Sequence, residues 1–331
     1  MPKPSRVREE IEKTFPQASW VRNRSIAVLL PCYNEVAAVA DVVREFRRAL
    51  PSAQIYVYDN NSTDGTAAAA QKAGAIIRTE PYQGKGNVVR RMLADVDADI
   101  YVLADGDATY NPRAAGQLID VLVSRNLDMV VATRAPADGA YRRGHKAGNR
   151  FFNRAISHLF GPGFTDILSG YRVLSRRFAK SFPVTSTGFE IETELSVHAL
   201  DLKIATAEIP LRYGARPEGS QSKLRTYRDG IRILGAIVML YKELKPLPFF
   251  GAIGACLTLM AVGLAMPLAI TYFETGLVPR LPTAILATGM VQLGILSFAV
   301  GLVLDAIARS RREAKRMRYL DLQSVAEKSK R

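Results

Sequence analysis

Cysteine and tryptophan are scarce in this chain: two and one among 331 residues, with only three histidines. Cys32 and Cys256 fall in segments of different character, so neither a disulfide nor a thiolate metal cluster is expected, which fits a reducing compartment. His145 and His158 lack any partner at metal-ligand spacing. The GxxxxGK[ST] phosphate loop, zinc-finger spacing and an aromatic RNP-like stretch are all absent. Residues 1–24 carry Glu9, Glu10 and Glu12 but no apolar core, so they read as an N-terminal extension and not a secretory signal. Acidic charge is also in deficit: 45 Lys and Arg against 31 Asp and Glu leave a net charge of +14. That excess implies an anionic partner, whether nucleic acid, phosphorylated ligand or anionic lipid. No nucleic-acid motif accompanies it, and the basic residues cluster beside apolar segments, so no nucleic-acid partner is expected.

Short apolar, β-branched runs alternate with helical spacing over residues 25–132. Strands are expected at 25–30, 54–58, 75–78, 100–104 and 129–132, with helices at 35–50, 66–73, 85–93 and 112–125. This alternation predicts an α/β domain, Rossmann-like, with a mostly parallel sheet covered on both faces. Ligands of such sheets bind at the carboxyl ends of the strands, so the polar residues after each strand are the place to look.

Beyond residue 245 the composition changes. Two nearly uncharged runs, 249–272 and 283–307, each exceed the roughly 20 residues that cross a bilayer as a helix. Their short connection holds only Glu274 and Arg280. Lys242 and Lys245 precede the pair, and Arg309, Arg311, Arg312, Lys315, Arg316 and Arg318 follow it. Positive charge marks the cytoplasmic side. The expected organisation is a catalytic domain over 25–226, an amphipathic interface helix over 227–248, a two-helix transmembrane hairpin within 249–308 and a basic cytoplasmic tail over 309–331. The catalytic domain would lie on the cytoplasmic face of a cell inner (plasma) membrane, in a multi-pass protein. A buried hairpin in a large soluble protein is the competing reading of the two runs.

The strongest chemical signal is DGDATY, Asp105 to Tyr110, directly after the fourth strand. Asp105 and Asp107 on one turn can converge on a hard divalent cation, Mg or Mn, that keeps waters and grips a diphosphate. PCYNE (Pro31 to Glu35) ends the first strand, and YDNNSTDGT (Tyr58 to Thr66) ends the second. Short polar residues there can read a nucleobase and ribose, and the Asp59 carboxylate can accept the imide N–H of uracil. Turn chemistry and helix capping are the bland account of Asp59 and Asp64. Gly84-Lys85-Gly86 opens the next helix, and a lysine at a helix N-terminus suits phosphate. Arg134, Arg142, Arg143, His145, Lys146, Arg150 and Arg154 stand against the single acid Asp138. Arginine is suited to bidentate phosphate recognition; a solvated face or an anionic-lipid patch would look the same.

PCYNE, DNNSTDGT, GKG and DGDATY, in this order, resemble the inverting family 2 glycosyltransferases with a GT-A fold. Thr133-Arg134, DILSGYR (Asp166 to Arg172), GFEIETEL (Gly188 to Leu195) and PLRYGARPEGSQSKL (210–224) extend the resemblance across residues 25–225. The set is similar to the polyprenyl-phosphate branch, with dolichyl-phosphate mannose synthases and bacterial undecaprenyl-phosphate sugar transferases. The resemblance implies that Pro31, Tyr33, Glu35, Asp59 and Asn60 hold the nucleoside. Lys85, Asp105 and Asp107 would hold diphosphate and metal, and Asp166 would face the sugar. Arg134, Arg216, Ser222 and Lys223 would bind donor or acceptor phosphate, to which the basic run adds Arg142 and Arg143 as candidates for the acceptor phosphate. The ARPEGSQSK stretch departs from the family form in being longer and more polar.

The expected activity is therefore transfer of one sugar from a nucleotide-sugar, preferably a UDP-sugar, to a polyprenyl phosphate. A phosphate monoester is largely dianionic at neutral pH, so this acceptor needs no general base. Transfer to a glycan or glycolipid hydroxyl would need one, for which Glu190 and Glu192 are candidates. Processive synthases carry a Gln-x-x-Arg-Trp motif, whereas the lone tryptophan here is Trp20. A non-enzymatic membrane scaffold is the reading that retention of both Asp105 and Asp107 opposes. A homo-oligomer is compatible with all of these.

Overall fold

The computed structural model describes residues 24–136, 143–214, 216–217 and 226–325, of which 135–136, 143–147, 149 and 226–229 by backbone alone. The chain divides into two compact units, residues 1–236 with 315–331, and residues 237–314.

In the first unit the alternation read from the sequence becomes β1 (Ile26–Cys32), α1 (Val39–Ala49), β2 (Gln54–Asp59), α2 (Thr66–Lys72), β3 (Ile76–Thr79), α3 (Lys85–Asp95) and β4 (Ile100–Leu103). These strands pair in parallel in the order β3-β2-β1-β4. Parallel strands covered on both faces are apolar throughout, and Ile26 to Leu30 and Ile100 to Leu103 are buried accordingly. Val39, Val42, Val43 and Phe46 form the inward stripe of α1 against this sheet. The expected helix at 35–50 starts later because Glu35 O accepts from Ala38 N and Val39 N, which makes 35–38 a turn before the helix.

The other half of the sheet differs from expectation. A 3-10 turn (Pro112–Ala114) and α4 (Ala115–Ser124) lead into β5 (Met129–Pro136), followed by α5 (Arg143–Phe160), β6 (Arg172–Ser175), α6 (Arg176–Ser181), α7 (Ile191–Leu202) and β7 (Thr206–Tyr213). The seven-stranded order is β3-β2-β1-β4-β6-β5-β7. The short strand β6 is antiparallel to both neighbours, while β7 is parallel to β5. The sheet is thus mostly parallel with one reversed strand, which brings the end of β5 and the loop entering β6 to one edge.

α8 (Thr226–Leu244) buries Ile233 and Ile237 and exposes Ile231, Leu234, Val238 and Met239, an apolar stripe on a helix that also carries charge. In the second unit, α9 (Pro246–Thr275) and α10 (Leu281–Leu320) form an antiparallel hairpin, with Gly276 at φ 70° closing α9. The backbones meet at glycine: a Cβ on Gly254 would lie 2.6 Å from Gly294 O. Ser297 Oγ donates to Phe250 O at 2.9 Å, tying the helices by a polar bond. Only 17% and 11% of their most apolar windows are buried, which is opposite to the core hairpin of a soluble protein.

The basic segment after 308, expected as a tail, continues as helix to Leu320, and its last turns belong to the first unit. Tyr319 Oη donates to Asp128 Oδ2 at 2.7 Å, and the Arg177 guanidinium stacks 4.6 Å from the Tyr319 ring while ion-pairing with Asp128. Arg24 closes the packing by donating to Val325 O.

Candidate functional site at the strand ends

The loops after β1 and β2 are laced together. Asn34 N donates to Ser62 Oγ, Thr63 N to Asn34 Oδ1, Glu35 N to Thr66 Oγ1 and Val36 N to Asp64 Oδ2. Asp64 therefore clamps a turn just before α2, its Oδ1 accepting from Thr66 N as residues of its type do. Asn34 and Asn61 take left-handed backbone, at φ 52° and 66°, which asparagine tolerates. Asp59 differs from Asp64: it is buried, Oδ2 accepts from Ser62 N at 3.1 Å, and Oδ1 has no hydrogen-bond partner among the described residues. A buried unpartnered carboxylate oxygen is costly unless a ligand meets it. Asn60 is committed otherwise. Its amide donates to Glu80 O and Tyr82 O and accepts from Gly84 N, so it braces the Gly84 turn where a nucleotide contact was expected. Tyr33 is exposed, Pro31 precedes Cys32 on β1, and Glu35 is buried.

DGDATY is built under constraint. A Cβ on Gly106 would lie 2.4 Å from Cys32 Sγ, so only glycine fits there. Ala108 sits at φ 58°, unfavourable for alanine by about 1 kcal/mol or more. That turn directs Thr109 back onto Asp107, whose Oδ1 accepts from Thr109 N at 3.1 Å and Oγ1 at 2.6 Å. Asp107 is 4% exposed, and its Oδ2 pairs with Arg216 at 2.7 Å. Gly214 N donates to Thr109 O, which fixes the start of the Arg216 segment beside this turn. Burial, then the Asp105 charge, raise the Asp107 carboxyl above its ordinary value against the pull of Thr109 and Arg216. Burial raises the Cys32 thiol as well, with Glu35, Asp59, Asp105 and Asp107 adding to it, so four carboxylates act on one point.

Lys85 lies between Asp105 and Glu192, pairing with both, at 2.5 Å for Glu192. Burial opposes its charge, but the two carboxylates outweigh this and hold the ammonium well above its usual range. The first-turn amides of α3 were expected to face a phosphate; Gly86 N and Asn87 N instead reach Thr187 O at 3.1 and 3.4 Å. Gly170 completes the packing, since a Cβ there would lie 2.6 Å from Asp105 Oδ2 and 3.1 Å from Lys85 Nζ.

On the far side of β4, Asp166 receives three bonds from Arg134: backbone N at 3.0 Å, Nε at 2.8 Å and Nη2 at 2.6 Å. This fork orients the guanidinium at the end of β5. Glu208 on β7 accepts from Thr165 N and Asp166 N, holding the Asp166 loop. Arg172 is fully buried and donates to Ser169 O, Ile167 O, Glu192 O and Ser196 Oγ. One guanidinium thus joins the Asp166 loop to the start of α7, which carries Glu192. Glu190 accepts from Thr187 N and Gly188 N. Arg142, Ser222, Lys223 and the side chain of Arg143 lie outside the described residues. Arg172, Gly170, Gly106 and Thr109 were not among the residues singled out from the sequence; DILSGYR and DGDATY contain them, but nothing in a motif tells a buried brace from its neighbours.

No group of three or more His, Cys, Asp and Glu able to hold a metal occurs among the described residues. The donor set of Asp105 and Asp107 nevertheless fits a hard cation that draws its other ligands from water and diphosphate. The raised Asp107 carboxyl fits too, since a cation would relieve the like-charge pressure from Asp105.

The mostly parallel sheet with one reversed strand is that of a GT-A fold. The chain belongs to the family 2 glycosyltransferases and is a transferase: the family model Glycosyl transferase family 2 matches residues 27–182, and Glycosyltransferase AglJ of Haloferax volcanii is 34% identical over 90% of this chain and 98% of its own length. Dolichyl-phosphate hexose transferase of the same organism is 29% identical over 66% of this chain and 94% of its own. Among solved structures, glucosyl-3-phosphoglycerate synthase from Mycobacterium tuberculosis, in complex with Mn2+, UDP and phosphoglyceric acid, superposes with a TM-score of 0.57 at 22% identity. That match covers 68% of this chain and 81% of the synthase, and it shows the fold.

Proposed function

We propose that this enzyme transfers a single sugar from a UDP-sugar to a polyprenyl phosphate, with inversion, at the cytoplasmic face of a membrane that its two apolar helices span. The observation that carries this reading is that Glu190, Glu192 and Asp166 are all engaged: Glu192 with Lys85, Asp166 with Arg134, and Glu190 with the 187–188 backbone. A hydroxyl acceptor requires a positioned base, whereas a phosphate monoester arrives deprotonated. In this reading Arg134, held by Asp166 through Nε and Nη2, receives that phosphate. The names of the polyprenol-type relatives point the same way, as does the basic charge flanking the apolar helices.

In this reading Asp59 Oδ1 accepts the uracil imide N–H, and Glu35, Pro31 and Tyr33 border the nucleoside. Asp105 and Asp107 would hold a divalent cation, Mg or Mn, which would supply positive charge against the departing nucleoside diphosphate. Lys85 fixes the Asp105 carboxylate, Glu192 fixes Lys85, and Arg172 fixes the backbone of both loops. Catalysis then rests on positioning and charge stabilisation.

The test supplies membranes containing the chain with labelled UDP-sugars and either polyprenyl phosphate or a glycan primer. Label entering the lipid only with polyprenyl phosphate supports the proposal. Label entering only the primer assigns the enzyme to hydroxyl acceptors. Screening nucleotide-sugars by thermal shift with Mn2+ or Mg2+ identifies the donor, because ligand binding stabilises the folded state by mass action.

A further inference from the structure

The two aspartates of DGDATY each already carry a cation supplied by the chain, and the two cations differ in kind. Lys85 is 10% exposed and is held by a second carboxylate, Glu192. Withdrawing it would leave the buried Glu192 and the half-buried Asp105 uncompensated. Arg216 is 27% exposed and pairs with Asp107, 2.7 Å away through Oδ2. The other oxygen of Asp107 is committed to Thr109. A divalent cation that reached Asp107 would therefore have to approach the oxygen that Arg216 occupies, and a guanidinium and a metal ion on one oxygen repel each other.

We infer that Arg216 is an exchangeable counter-ion: it compensates the buried Asp107 when no metal is bound, and metal binding displaces it. The inference rests on the metal-dependent reading given above and deepens it. A departing Arg216 remains tethered beside the site, because Gly214 N is anchored on Thr109 O at 2.8 Å. It is thus available to the diphosphate that arrives with the metal, and metal and nucleotide binding become coupled through one side chain.

The test is Mn2+ binding to the purified full chain in detergent, read by the electron paramagnetic resonance signal of free Mn2+ with and without UDP. Without UDP, Arg216→Ala and the polar, uncharged Arg216→Gln should bind Mn2+ about fivefold more tightly than the wild type, the equivalent of removing one partly exposed competing ion pair. With UDP present that advantage should vanish or reverse, since the guanidinium is then missing from the diphosphate. Equal or weaker Mn2+ binding by both variants without UDP, beside a wild type that binds normally, overturns the exchange and leaves the metal-dependent reading standing. A wild type that binds no Mn2+ even with UDP overturns both. Thermal unfolding of each variant confirms that the comparison is between folded proteins.

Discussion

The strands on the two sides of the sheet end in opposite arrangements of charge. In the parallel half, β3-β2-β1-β4, the ends present Glu35, Asp59, Asp105 and Asp107, whose fields converge on Cys32. One Asp59 oxygen has no partner among the described residues, and Asp107 is raised by burial and by its neighbour. In the mixed half, β6-β5-β7, the carboxylates at this edge are held by a cation or by backbone donors: Asp166 by Arg134, and Glu208 by the 165–166 amides. The first half crowds its carboxylates together, with Asp105 and Asp107 paired to Lys85 and Arg216 and one Asp59 oxygen unmet among the described residues. The second uses Asp166 to hold Arg134 in place. A donor carrying a base and a metal-bound diphosphate suits the first, and an acceptor phosphate suits the second.

The largest effect should come from the acidic half. Asp107→Asn and Asp105→Asn should each lower transfer by about a thousandfold or more while the chain still folds, measured by label transfer and thermal unfolding. Next, Asp166→Asn should weaken the fork on Arg134 and raise the KM for the lipid acceptor by about tenfold or more, leaving UDP affinity within about twofold. A similar loss of UDP affinity would break the division between the halves. Gly170→Ala lies on the border, where its Cβ would strike Asp105 Oδ2 and Lys85 Nζ. It should weaken Mn2+ and UDP binding by about tenfold, read by titration calorimetry.

The smallest effect on activity is expected far from the strand ends, at His198. Packed between Phe178 and Phe182, it has no hydrogen bond on either nitrogen among the described residues, and burial, then Lys315, push its imidazole down to about 3. The unfolded chain takes up a proton near 6.5 and the folded chain does not, so stability falls as pH drops from about 6.5 toward about 3. The slope is at most about 1.4 kcal/mol per pH unit. His198→Phe should flatten this decline in thermal unfolding between pH 7 and pH 5 and leave transfer at pH 7 unchanged.

Legibility in the sequence followed the same division. The parallel half announces itself because each buried strand is a short apolar run that stops at polar residues, and DGDATY and PCYNE stand at those stops. The mixed half is harder to read. β6 is four residues, Arg172–Ser175, led by a charged residue that sequence patterns place on the surface but that is fully buried here. β7, reading TAEIPLRY, has mixed burial and a proline, and gives no clean alternation. Lys85 was legible as a cation at a helix start, but not that Glu192 would share it or that Thr187 O would occupy the helix amides. Those are contacts between segments distant in sequence, which only the packing of α7 on α3 creates. The two apolar runs were legible by composition, whereas the run of α10 to Leu320 and the burial of Tyr319 were not, because charge at 309–318 reads as the end of a span.

The central claim is that the acceptor is a lipid phosphate received by the arginine-bearing half of the site. It is tested most directly by mass spectrometry of the lipid product formed by the purified chain from a UDP-sugar, Mg2+ and a mixture of polyprenyl phosphate and polyprenol. The account predicts a single product, polyprenyl phosphate heavier by one sugar, with polyprenol untouched and the yield collapsing in Arg134→Ala. Glycosylated polyprenol, a product carrying several sugars, or full yield from Arg134→Ala would contradict it.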